Sequence, residues 1–242
     1  MTPETFLYTV DPTADEPIML IDKHIGFDEA EGFGIMGDLF QKELLVLDGL
    51  GKKRIQVWIN SPGGIVADGY NIYNAILKSK TPVDTYNTGM AASIAGVFFQ
   101  AGRKRVMADY AQLMYHNPFG GDDDKGLAAI RDSLATMIAS RCGKSEDDIK
   151  AIMSQTTWIS ASEAFENGFC DEVQHSGEIN KRRGVTVNTD AKAFWKESTV
   201  ITNSLIPAIQ NQSKNFDMKK IANRLKLNPD ASEDSVVEAI DS

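Results

Sequence analysis

The chain has 242 residues, 42% of them hydrophobic, enough for one sizeable core or a core with an appendage. With 25 Lys and Arg against 34 Asp and Glu, a formal charge of -9 and a pI near 4.9, it lacks the excess of cations that nucleic-acid phosphates require. The opening MTPETFLYTV has neither a basic n-region nor an apolar h-region, and the longest uncharged run, residues 85–102, is shorter than the ~20 apolar residues of a membrane span. No secretory signal and no membrane partner are expected, and the expected location is the cytoplasm. The two cysteines, Cys142 and Cys170, have no metal-ligand spacing and read as reduced thiols without a role.

RIQVWIN, residues 54–60, alternates Ile55, Val57 and Ile59 with Trp58 on the opposite face and predicts a buried strand. It ends at SPGG. Ile65, Gly69, Ile72, Tyr73 and Ile76 then recur at helical spacing to about Lys78, and KTPVDTY restarts an extended run. Gly89 reads as a turn, followed by a helix from about Ala92 to Ala101 and two short strands over 104–108 and 112–116. This alternation predicts an α/β domain. In KGLAAIRDSLATMIASR, residues 125–141, Leu127, Ile130, Leu134, Met137 and Ile138 form one stripe of an amphipathic helix that needs a partner helix or a neighbouring subunit. Ser145 followed by acids opens a helix over 147–153. SASEAFENG carries a capping box, Ser160 with Glu163, and stops at Gly168, and FCDEVQ reads as a last strand. Beyond about Val187 the composition turns polar, and helical spacing returns only in DMKKIANRLKLNPDASEDSVVEAIDS. The expected organisation is a domain over 1–187 and an appendage with short helices over 188–242.

Ser93 falls at the start of a predicted helix, where unpaired N–H groups and the helix dipole stabilise a developing anion. Gly89, Ala91 and Ala92 leave room for a substrate backbone. The N–H of Ile94 and one from Gly63 or Gly64 are candidate donors to a reacting oxygen. A serine among small residues serves equally well as a packing or capping residue, so a base must be found. Of three histidines, His24 in DKHIG and His175 in a polar run read as surface residues. His116 closes the strand AQLMYH before Asn117-Pro118, where a side chain can face a cleft. A glycine turn, a helix-start serine and a strand-end histidine, in that order, supply the parts of an acyl-transfer site.

INSPGG (59–64), GMAAS (89–93) and MYHNP (114–118) resemble the proteolytic subunit of the Clp protease, a serine peptidase family. TWISASEAFENGFCDEV (157–173) resembles the segment that follows that family's acid. The wording AASIAG, YHNPFGG and TWISASEA is closer to the phage and prophage branch, whose members act as head maturation proteases, than to the housekeeping branch. The resemblance implies a crotonase-like α/β fold, a spiral of ββα units with a protruding helical handle that 125–141 fits, and a homo-oligomeric ring enclosing the active sites. It implies Ser93 as nucleophile, His116 as general base and then acid, and the N–H groups of Gly64 and Ile94 as oxyanion hole, with no metal or cofactor. The substrate is then a protein or peptide. In the phage branch it is a capsid or scaffold protein cut within a prohead, and in the housekeeping branch a polypeptide fed by an ATP-dependent unfoldase.

One position departs from the pattern. The family's aspartate lies two residues before the aromatic of the WISA-like segment, and here that residue is Thr156. Either Thr156 or a backbone carbonyl orients His116, or Asp147, Asp148 or Asp171 approaches through a shifted loop, or the enzyme is weak. The preferred expectation is a Ser93–His116 dyad supported by Thr156. Thr156 also favours a rival, a non-catalytic ring-forming assembly protein. Intact Ser93, His116 and glycines speak against it. An acyl-coenzyme A enzyme of the same fold needs a carboxylate beside the oxyanion hole, and no glutamate stands there.

Overall fold

A computed structural model describes residues 6–28, 32–120 and 123–177. The centre is β3 (Ile55–Ser61), where Ile55, Val57 and Ile59 are buried and Trp58 faces out, as the alternation predicts. Parallel neighbours flank it, β2 (Ile18–Ile21) on one side and β4 (Val83–Ala92) on the other. The two-residue β1 (Thr9–Val10) edges β2 in antiparallel fashion. Beyond β4 come β5 (Arg105–Ala108) and β8 (Glu172–Gln174), both parallel, giving the order β1-β2-β3-β4-β5-β8. A mainly parallel sheet must be covered by crossover helices. Here α1 (Gly37–Gly49), α2 (Val66–Lys78) and α3 (Ile94–Phe99) pack in succession, and Phe40, Leu44, Ile72, Ile76 and Phe98 share one core with the strands. The α/β class is as expected.

The region around Gly89 differs from expectation. No turn forms there, and β4 runs on to Ala92 while changing neighbours. Thr85–Asn87 pair with β5, whereas Met90–Ala92 pair with β6 (Gln112–Tyr115), which in turn pairs antiparallel with β7 (Thr157–Ser160). Glycine at 89 gives room to the Asn60 side chain: a Cβ would lie 2.7 Å from Asn60 Oδ1, the same oxygen that accepts from the Met90 N–H. The register of β3 against β4 shifts between Ile59 and Ser61 at this point. The seam in the sheet is built from this irregularity.

The stripe over 125–141 forms α4 (Asp124–Cys142), capped by Asp123 and ended by left-handed Gly143. Only its C-terminal half buries side chains, Leu134, Ala135 and Ile138, which pack near α5 (Glu146–Ser154). Its first half has none, and there Ile130 packs half-buried against the core, a weakly anchored stretch that fits the expected handle. Capping boxes open both α5, through Ser145 and Asp148, and α6 (Ala161–Glu166), through Ser160 and Glu163. The expected boundary at 187 and the appendage 188–242 lie outside the described residues.

Candidate active site

Ser93 occupies the single residue between β4 and α3, with φ 57° and ψ -128°, a backbone conformation L residues rarely adopt. Strand and helix are both fixed by the core, so the turn between them must be this tight, and it lifts the serine side chain out of both elements. The Ser93 N–H donates to Met114 O at 2.8 Å, which ties the turn to β6. Crowding explains the small neighbours: a Cβ at Gly63 would lie 2.7 Å from both Ser93 Cβ and Ala92 O.

The glycine turn distinguishes its two candidates. The Gly63 N–H is already engaged with Ser61 Oγ at 3.2 Å. Among the described residues the N–H groups of Gly64 and Ile94 donate to no group. Gly64 has φ 148°, and a Cβ there would meet Ile25 O at 2.2 Å. The turn is held by parallel pairing with the segment before it, through Ile25 N–H to Gly63 O and Ile65 N–H to Ile25 O, both at 2.8 Å.

β6 delivers His116 from its end. His116 Nε2 lies 2.7 Å from Ser93 Oγ, hydrogen-bond distance for the hydroxyl to donate to the ring. The exposed ring of Phe119 leans on the imidazole with centroids 5.4 Å apart. No side chain among the described residues pairs with His116 Nδ1. The antiparallel register, Tyr115 opposite Thr157, carries position 156 toward His116, where the resemblance places the acid. Thr156 is exposed, has φ 50°, and its hydroxyl makes no hydrogen bond among the described residues, while its N–H donates to Met153 O at 3.3 Å. The three alternative acids are occupied elsewhere. Asp148 serves the α5 capping box, Asp171 grips Arg105, and Asp147 is almost fully exposed beside Lys150.

The sequence reading missed two features. His24 is not a plain surface residue: its Cε1 and Nε2 would each lie 2.7 Å from a Cβ on Gly64, and its Nδ1 is buried with no hydrogen-bond partner. The clue was its place one residue before Ile25, which pairs with the glycine turn. Tyr115, one residue before His116, is fully buried, and burial pushes its phenol well above its ordinary pKa. It remains a neutral hydroxyl. His175 is exposed near Asp109, as expected. Both cysteines are free thiols, and burial pushes the thiol of Cys170 up to about 11. Among the described residues no three His, Cys, Asp or Glu side chains gather as a metal site, and no helix is long and apolar enough to cross a membrane.

A strand-to-helix serine facing a strand-end histidine, on a mainly parallel sheet with a weakly anchored helix, defines a hydrolase-type arrangement. Comparison with known proteins agrees. The Clp protease family model matches residues 34–177, more than half of the chain, and the chain belongs to that family of serine-type peptidases. It is similar to the ATP-dependent Clp protease proteolytic subunit of Bacteroides fragilis, 37% identical over 145 residues, which cover 55% of this chain and 70% of the relative. The corresponding subunit of Porphyromonas gingivalis is 35% identical over 148 residues, covering 56% and 67%. Among solved structures, a single-residue mutant of ClpP1 from Listeria monocytogenes matches with a TM-score of 0.60 at 26% identity, over 66% of this chain and 92% of that one. The expected ClpP-type fold is therefore the observed one.

Proposed function

We propose that this chain is a serine endopeptidase in which Ser93 is the nucleophile and His116 the base. The observation that carries the reading is the 2.7 Å contact between Ser93 Oγ and His116 Nε2 at a strained strand-to-helix turn. His116 takes the hydroxyl proton as Ser93 Oγ attacks a peptide carbonyl carbon. The resulting oxyanion accepts from the unengaged N–H groups of Gly64 and Ile94. The imidazolium then returns its proton to the departing amine, and water, activated by the same histidine, hydrolyses the acyl-enzyme. Thr156 holds the place of the acid without its charge, in a supporting role to the imidazole. Beside Ser93 a cavity of about 20 Å³ is lined by Val66, Ile94, Val97, Leu134, Ile138 and Met153. It has room for about one water, and Tyr115 also lines it.

The test is labelling with a fluorophosphonate, followed by peptide mapping. Modification confined to Ser93, and absent from Ser93→Ala and His116→Ala, is expected. A folded, ring-forming sample that takes no label would sink the proposal and make a non-catalytic assembly protein the better reading.

The working assembly is proposed to be a homo-oligomeric ring in the cytoplasm, acting on protein substrates. The wording around Ser93 and His116 supports a head maturation protease that cuts a capsid or scaffold protein in a prohead. The relatives, which are named as proteolytic subunits of ATP-dependent Clp proteases, support equally a subunit fed by an ATP-driven unfoldase. Cleavage of a co-expressed capsid or scaffold protein without ATP separates the first reading from degradation of a folded substrate that needs ATP and an unfoldase.

A further inference from the structure

The Ser93–His116 pair raises a positioning problem, since no side chain among the described residues braces His116 Nδ1 and the pair must still be held within tenths of an ångström. The structure offers a brace in the residue before His116, Tyr115 of β6. The Tyr115 hydroxyl lies in the core between the two elements that bear the pair. It accepts from Gln100 Nε2 at 2.9 Å and donates to Gly96 O at 3.2 Å, and both partners belong to the α3 end of the site, Gly96 within the helix and Gln100 at its C-cap. Gly96 has no Cβ because one would lie 2.9 Å from the Tyr115 ring and 3.3 Å from Met114 O. Gln100 is itself locked. Its Oε1 accepts from Arg105 Nη1 at 2.6 Å, and Arg105 is clamped by Asp171 through two further bonds, at 3.0 and 2.5 Å.

We infer that Tyr115 and Gln100 are positioning residues, a buried knot that fixes the distance between the strand end carrying His116 and the helix start carrying Ser93, in place of bracing by a third acidic side chain. This rests on the serine–histidine reading above. The knot is oriented for the task. A hydroxyl that both donates and accepts fixes two directions at once, and a buried bond of this kind is not relaxed by water. The Tyr115 hydroxyl is bound to Gly96 and Gln100, and it acts through the backbone of β6, one residue from the imidazole.

The experiment measures fluorophosphonate labelling of Ser93 at several probe concentrations, separating the maximal rate from the half-saturating concentration, in the assembled full chain. Tyr115→Phe keeps the ring and removes both bonds. Gln100→Met keeps the volume and serves if the first variant does not fold. A core truncation on α1, Leu47→Ala, supplies a purely structural comparison. The expected result is a maximal rate lowered about tenfold or more by either knot variant at unchanged half-saturation. Leu47→Ala is expected to lower the thermal midpoint and to leave the rate per folded molecule unchanged. Knot variants that label within about twofold of the unsubstituted chain overturn the inference alone, as does a rate loss that Leu47→Ala reproduces. No labelling of the unsubstituted chain overturns it together with the serine–histidine reading.

Discussion

The two flanks of His116 are built to different standards. On the Ser93 side the neighbours are tightly placed: the serine N–H is bound to Met114 O, Gly63 leaves no room for a side chain beside the serine Cβ, and Gly96 lets the Tyr115 ring lie against the helix. On the Thr156 side the residue is exposed, left-handed and held by one long backbone bond. Steric demand thus preserves the nucleophile and its base as one rigid unit, while the orienting position stands where a change of residue disturbs little packing.

The comparison breaks most completely at the nucleophile. Ser93→Ala is expected to abolish labelling and lower peptide hydrolysis by at least about 10³-fold with the fold intact, checked by turnover and circular dichroism. Gly63→Ala forces a Cβ to 2.7 Å from Ala92 O at a φ of 94°, so the whole turn must shift. A labelling rate lowered about 100-fold and a stability loss of about 2 kcal/mol are expected from rate measurements and urea titration. A normal rate would show the Ser93 side to be more pliant than its contacts indicate.

On the other flank, Thr156→Asp should help twice. It restores a carboxylate in the register of His116, and Asp tolerates a φ near 50° better than a β-branched residue does. Turnover is expected to rise about tenfold, a fraction of the ~10⁴ that such an acid supplies in a complete triad, with a stability gain of about 0.5 kcal/mol. No gain in turnover would mean that the position does not reach the imidazole. Thr156→Val, which removes only the hydroxyl, is expected to lower turnover about twofold. An unchanged value takes Thr156 out of the site.

The smallest effect concerns pH. Burial alone raises the pKa of Asp171, but the hydrogen bonds and charge of Arg105 outweigh it and hold the carboxyl below its ordinary range. Stability from this group is therefore fully present above the ordinary aspartate pKa and is lost as pH falls through the depressed value. Urea midpoints are expected to hold from about pH 7 to 5 and to fall below about pH 4, less steeply in Asp171→Asn. An identical fall in the variant would assign the acid limb to other carboxylates.

Much of this was legible before any coordinates. β3, α2, α4, α5, α6 and β8 carry periodic apolar residues or caps, and their burial follows the pattern. β1, β2, α1 and β7 left no clear trace. Three are strands of two to four residues, and α1 leaves Leu45 exposed beside a buried Leu44 and Leu47, which blurs its stripe. At the site, residue types and order pointed to Ser93 and His116, because a nucleophile and a base are chemical requirements. The positive φ of Ser93, the ring of His24 against Gly64 and the knot at Tyr115 arise where strands distant in sequence meet, and no local pattern encodes that meeting. Gly89 misled for the same reason: its partner is Asn60, on another strand.

The change of neighbours along β4 also divides the molecule in time. Thr85–Asn87 sit between β3 and β5 in the continuous parallel sheet, so their amides are expected to exchange with solvent only in a large opening of that sheet. Past the register shift, Met90–Ala92 keep a single pairing with β3, Ala91 with Ser61, and otherwise depend on the shorter β6–β7 pair. A smaller excursion that lifts the histidine-bearing strands is then enough to loosen them. Deuterium uptake along this one strand would then proceed at two rates, with the step at Gly89.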